Sequence, residues 1–281
     1  MPSSERHPDL RVITDGLGIP ESARWHDGRI WCANWGAGEV VAFDEQGNRE
    51  VRAQLAAEAL PISFDWLPDG RMLLVDGPRR LLLRQEWDGS MSTAADLTGF
   101  GEAPFNELVV DARGNAYVNG GPGVVVLVTD DGQIRQVAEG LKWPNGMALL
   151  DDDRILVVAD SHAEALVGYE VAADGSLSEG RTWASLPHAP DGICADAEGA
   201  IWASSVPGRR CLRVREGGQI LGEVVVDRGC FACMLGGENG RTLYVAAAQW
   251  KGFDALKADG PGTSGQLVAA PRQPAAGAGR P

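Results

Sequence analysis

Four side chains with oxygen donors stand in matching places along this 281-residue chain: Glu21 in IPESARW, Asn106 in PFNELVV, Asn145 in WPNGMAL and Asp191 in APDGICAD. Each opens an apolar, strand-like run, a setting in which Asn and Asp are depleted. Taken singly they have plain explanations, because Pro-Asn-Gly and Pro-Asp-Gly are turn sequences and a lone Glu is usually a surface residue. Brought to one point, they would offer two carboxylates and two amide oxygens. Carboxylates held close together repel unless a cation lies between them. An all-oxygen donor set suits a hard divalent ion, and two amides among four donors leave the loaded site near neutrality.

Convergence of this kind requires repetition, and the chain has it. ARWHDGRIWCAN, DWLPDGRMLLVD, VVDARGNAYVN, ALLDDDRILVVAD, CADAEGAIWAS and LGGENGRTLYVAA are each a strand, a tight turn and a second strand. Their second turn residues, Gly28, Gly70, Gly114, Asp153, Gly199 and Gly240, are spaced by 42, 44, 39, 46 and 41. Gly and Asx accept the positive φ that hairpin turns require. An all-strand period of this length predicts a six-bladed β-propeller with four antiparallel strands per blade. Further strands fall between the hairpins, and the last blade, with GQLVAA (265–270) alone after its hairpin, is one strand short. RVIT (11–14) is placed to pair there and close the ring, which removes open sheet edges. Residues 1–270 thus form one propeller, 249–265 a polar Gly-rich loop, and the Pro/Ala/Gly-rich tail 271–281 a disordered end.

Seven or eight residues upstream of each turn is the start of the innermost strand, where propeller strands meet at the central channel. Blades 1, 3, 4 and 5 place Glu21, Asn106 with Glu107, Asn145 and Asp191 there. Blade 2 places Ser63, and blade 6 only Phe231 and Ala232.

A formal charge of −14 disfavours a nucleic-acid partner. The N-terminus MPSSERHPDL lacks an apolar signal region, and no run is long enough to span a bilayer. Five scattered Cys fit a reduced cytoplasm, and CFAC (Cys230, Cys233) has redox spacing without the βαβ context that would support it. Most of the nine Trp lie in or beside strands, where packing between blades is expected.

At these residues the sequence resembles the gluconolactonase / senescence-marker-protein (regucalcin-like) family of six-bladed propellers. IPESARWHDGRIW is similar to that family's first-blade Glu motif, FNELVVDARGNAYV to its Asn motif, WPNGMALLDDDRILVVADS to its Pro-Asn-Gly motif and APDGICADAEGAIWAS to its Pro-Asp-Gly motif. The resemblance implies one divalent metal held by Glu21, Asn145 and Asp191, with Asn106 completing the site directly or through water. Calcium is the first candidate, with magnesium, manganese or zinc as alternatives. It implies hydrolysis of lactones, with Asp191 as general base, Asn106 and Glu107 as further catalytic candidates, and Asp160 behind them. His26, His162 and His188 are candidate proton carriers by likeness to paraoxonase-type propellers. Pro104 stands where sugar-lactone members often carry Arg, Glu107 replaces their usual Asp, and NGGPG follows the third-blade hairpin. Loss of an Arg removes a bidentate partner for polyhydroxyl or carboxylate groups, so a less polar lactone or ester becomes an alternative to a sugar lactone. The competing readings are a non-catalytic, metal-stabilised propeller that binds a small ligand or protein, and a phosphotriesterase-like hydrolase. The expected partner is a small molecule, with no nucleic acid or membrane, and the expected state a monomer or small homo-oligomer.

Overall fold

A computed structural model describes residues 9–56, 60–121 and 123–279. The first eight residues and the last two of the tail lie outside the described residues. Six four-stranded antiparallel sheets are arranged around a channel. The innermost strands are Pro20–His26, Ile62–Trp66, Phe105–Val110, Pro144–Leu150, Ile193–Ala195 and Gly229–Gly236. In the sixth sheet the outermost strand is the N-terminal Arg11–Leu17, paired to Gly265–Ala270 with Arg11 opposite Ala269. The ring is therefore closed by joining the first strand of the chain to the last, as the short sixth blade demanded.

Local chemistry explains the strands. All six hairpin turns have positive φ at the residue read from the sequence: 70°, 92°, 87°, 62°, 74° and 68° at Gly28, Gly70, Gly114, Asp153, Gly199 and Gly240. Middle strands such as Val124–Val128 are buried on both faces, which accounts for near-continuous β-branched runs instead of alternation. The core consists of wedges between sheets. Tyr117, Val125 and Leu127 of blade 3 pack on Met147, Leu156 and Val158 of blade 4, and Val157, Leu166 and Trp183 of blade 4 pack on Ile193, Ile201 and Val214 of blade 5. Burying each such Val or Leu contributes about 1.5–3 kcal/mol. Trp183 and Trp202 are in this core, but Trp87 is exposed and Trp35, Trp143 and Trp250 have another use described below.

Two segments differ from the sequence reading. Residues 271–279 are ordered against the turns of blades 5 and 6. The Gln273 N–H donates to Arg241 O at 2.8 Å, the Ala197 N–H to Ala276 O at 2.8 Å and the Gly277 N–H to Gly240 O at 3.0 Å, and Ala275 is buried. Small side chains cannot drive a core of their own, but they let the tail backbone approach and hydrogen-bond to those turns. The loop 249–265 contains a short helix, Phe253–Asp259, at one mouth of the channel. Among the described residues no helix is long and apolar enough to cross a membrane.

Candidate active site

The six innermost strands all begin at the same end of the channel, so side chains at their starts face a common cavity. Glu21, Asn106, Asn145 and Asp191 line it, and its volume is about 630 Å³. Three of the strands carry a β-bulge at the donor. The ladder slips between Glu21 and Arg24, between Phe105 and Glu107 and between Pro144 and Met147, whereas Ser63 lies on a regular strand and is not among the lining residues. A bulge takes a residue off the ladder and re-aims its side chain. That is why a poor strand former such as Asn145 is tolerated at the head of a strand.

The glycines that follow Asn145 and Asp191 have a separate role. A Cβ on Gly146 would sit 2.5 Å from Ile193 N and 2.6 Å from Asp191 O; one on Gly192 would sit 2.7 Å from Ala232 Cα. The absence of side chains lets Gly146 N–H donate to Asp191 O at 3.2 Å and Gly192 N–H to Phe231 O at 2.7 Å. Backbone of blades 4, 5 and 6 is thereby in direct contact where the donors sit. Asp160 fixes the approach to Asn145, its two carboxylate oxygens accepting the N–H groups of Lys142 and Trp143 at 2.9 Å each. Ser161 donates its hydroxyl to Pro190 O at 2.6 Å, tying blade 4 to the loop that carries Asp191.

Electrostatically the floor of the site is short of positive charge, since Arg209, which also lines the cavity, is exposed. Burial, then the charges of Asp191 and Glu107, raise the Glu21 pKa well above the usual carboxylate range. Burial, then Glu107 and Cys233, raise Asp191 likewise, with the Asn145 amide opposing. Asp191 Oδ1 is buried with no hydrogen-bond partner among the described residues. Asn106 Nδ2 donates to Asn145 Oδ1 at 3.0 Å, so the two amides brace each other across blades 3 and 4. An orphaned carboxylate oxygen, a second buried carboxylate that raises its pKa, and amide oxygens beside them form a donor set that fits a hard divalent cation. Among the described residues neither carboxylate is in an ion pair with a basic side chain, and Arg24, which acts on Glu21 from a distance, is paired with Glu107.

A model of the SMP-30/gluconolactonase/LRE-like region matches residues 19–249. The chain belongs to that family. Within it, the chain is 27% identical over 170 residues to a 6-deoxy-6-sulfogluconolactonase of Pseudomonas putida, an alignment that covers 56% of the chain and 58% of that relative. The chain thus spans little more than half the length of that curated relative. Among solved structures it superposes on a gluconolactonase of Xanthomonas campestris with a TM-score of 0.75 at 22% identity, covering 95% of this chain and 91% of the other. It also superposes on a calcium-binding protein, regucalcin, of Agrobacterium tumefaciens with a TM-score of 0.77 at 17% identity, covering 96% of each. At those identities the superpositions speak for the shared fold.

In this member of the family the other sequence candidates fall outside the cavity or at its rim. Glu107 is turned away from it. Its carboxylate accepts from Arg24 Nη2 at 3.0 Å, from the Ser22 hydroxyl at 3.2 Å and from its neighbour's N–H at Leu108 at 3.0 Å. Asp160 is occupied by the two backbone N–H groups named above. His26 lies at the hairpin end of its strand, stacked on Trp66 at 4.0 Å, and His188 is not a lining residue. His162 lines the cavity, stacked on Trp143 at 5.0 Å. All five cysteines are free and buried, Cys230 and Cys233 among them.

The sequence reading missed two groups. Asn119, at the end of the second strand of blade 3, is fully buried and donates its amide to Asn145 O, while its Oδ1 has no partner among the described residues. A polar Asn in the strand-like run NAYVN was the available signal, the same one that marked Asn145. Trp250 and Phe253, in a segment that reads as polar loop, form part of the cavity wall. Only the path of the chain places them there.

Proposed function

We propose that the protein is a divalent-metal-dependent lactonase. The observation that carries this reading is Asp191 Oδ1, buried and unpartnered on the floor of the cavity beside Glu21, Asn106 and Asn145. Family membership and similarity to a sulfogluconolactonase support lactone opening, and likeness to a calcium-binding propeller supports calcium as the first metal to test.

Glu21, Asn145 and Asp191 would hold the ion, with Asn106 as a further oxygen donor. When bound, such an ion supplies Lewis acidity for a carbonyl oxygen and lowers the pKa of water. Asp191 is the general base. It lies on the cavity floor among the other donors, where a water could reach both it and a lactone carbonyl. It accepts a proton as water oxygen bonds to the lactone carbonyl carbon. The ring C–O bond then breaks and Asp191 returns that proton to the departing alkoxide, so the product is a hydroxy acid. Asn106, braced on Asn145, orients the carbonyl. Glu107 does not touch substrate in this scheme. Held by Arg24, it sets the charge around Asp191 and positions the strand that carries Asn106.

Hydrolysis of a panel of lactones, with and without chelator, tests the reading. Turnover that chelation abolishes and added calcium restores is the expected result. No opening of any lactone, or turnover indifferent to both chelator and Asp191→Ala, would overturn it. Metal-dependent melting with no turnover would instead favour the non-catalytic propeller, and turnover confined to phosphotriesters the third reading.

A further inference from the structure

Above the polar floor the cavity is walled by aromatic rings that form a continuous arc. Phe231 meets Trp250 edge-on at 5.7 Å, Trp250 meets Phe253 edge-on at 5.0 Å, Phe253 lies 6.1 Å from Trp143, and Trp143 stacks on His162 at 5.0 Å. The arc runs from the loop of blade 6, across blade 5, to blade 4. Phe253 and Trp143 leave 56% and 44% of their surface exposed, an unusual use of large apolar side chains at a rim unless something covers them.

Above the floor, Arg209, Gln249 and His162 are the polar side chains that line the cavity beside the arc. The blade 3 wall is Ala103, Pro104, Gly120 and Gly121, without a side-chain donor. The Ser161 hydroxyl is already donated to Pro190 O, and the Trp35 indole N–H to Ile62 O at 2.8 Å. A polyhydroxylated ring seated against the aromatic arc and the blade 3 wall would leave hydroxyls desolvated and unpaired there, which costs affinity. An apolar substituent would lose only unfavourable hydration.

We propose that this site takes lactones bearing an aryl or alkyl substituent, seated in the arc between Trp143 and Trp250, in preference to polyhydroxylated sugar lactones. The inference rests on the lactonase reading and adds the substrate class. Trp250 and Phe253 determine specificity, while the floor residues carry the reaction.

The test compares kcat/KM of the calcium-supplied protein on a hexyl-substituted δ-lactone, a phenyl-substituted δ-lactone and glucono-δ-lactone. We expect the substituted lactones to be better by about tenfold or more, and Trp250→Ala and Phe253→Ala to shrink that ratio chiefly through KM. Equal or better turnover of glucono-δ-lactone overturns the proposal and leaves the lactonase reading intact. Should no lactone be opened, the lactonase reading falls, and binding decides the substrate class. A hexyl-substituted δ-lactam is then titrated against tryptophan fluorescence beside a polyhydroxylated lactam. Tighter binding of the hexyl compound, weakened by Phe253→Ala, upholds the apolar site; equal or tighter binding of the polyhydroxylated one refutes it. Phe253 is at the exposed rim, so its variant keeps the fold even where Trp250→Ala does not.

Discussion

Arg24 Nη2 lies 3.0 Å from Glu107 Oε1, an ion pair that joins the innermost strands of blades 1 and 3 past blade 2, with both side chains buried. Arg24 also donates to Leu108 O at 3.0 Å. One carboxylate near the channel is thus neutralised within the protein, and Glu21 and Asp191 are left without such a partner. Breaking a buried pair strands its other member. Arg24→Met is therefore expected to cost about 3–5 kcal/mol in denaturant unfolding. The double change with Glu107→Gln should recover a large part of that loss, because no unpaired charge remains. If the double variant is no more stable than Arg24→Met, the cost belongs to packing and not to charge.

Asp191→Asn keeps the shape of the side chain and removes the base. Turnover should fall by about 10²–10⁴, with the circular dichroism spectrum unchanged. Wild-type kcat in this variant would exclude Asp191 from proton transfer.

The pH dependence of stability follows from the same carboxylates. Glu21 and Asp191 have pKa values well above the ordinary range in the folded, metal-free protein. The fold therefore binds their protons more tightly than the unfolded chain does. The resulting stabilisation is full below the ordinary carboxylate pKa of about 4 and is lost as pH rises through the raised values. The chelated protein should thus melt lower at about pH 8 than at about pH 5 as far as these groups decide, and the rise in Tm on adding calcium should be larger at the higher pH. An equal calcium effect at both would show that the two carboxylates are not where the ion binds.

Gly192→Ala places a methyl group 2.7 Å from the Ala232 backbone. Overpacking of this kind costs about 1–3 kcal/mol, and it forces blades 5 and 6 apart next to Asp191. Calorimetric calcium affinity and thermal stability should both drop. A variant of unchanged affinity would mean that Asp191 is positioned independently of that contact.

The sequence by itself determined the repeat, the hairpins and the ring closure. It did so because those features are local: turn glycines need positive φ, strands need apolar runs, and a blade one strand short must take it from elsewhere in the chain. That Glu21, Asn106, Asn145 and Asp191 meet at one end of the channel was also legible, since Asn145 and its counterparts contradict strand propensity at one repeated position. Tertiary structure alone decided the rest. Only the packed ring shows that Glu107 turns to Arg24, because an ion pair between residues so far apart in sequence has no local signature. The 271–279 tail is ordered by backbone bonds to distant turns, to which composition is blind. Trp250 and Phe253 become cavity wall because one loop folds over the mouth of a channel that six separate blades create.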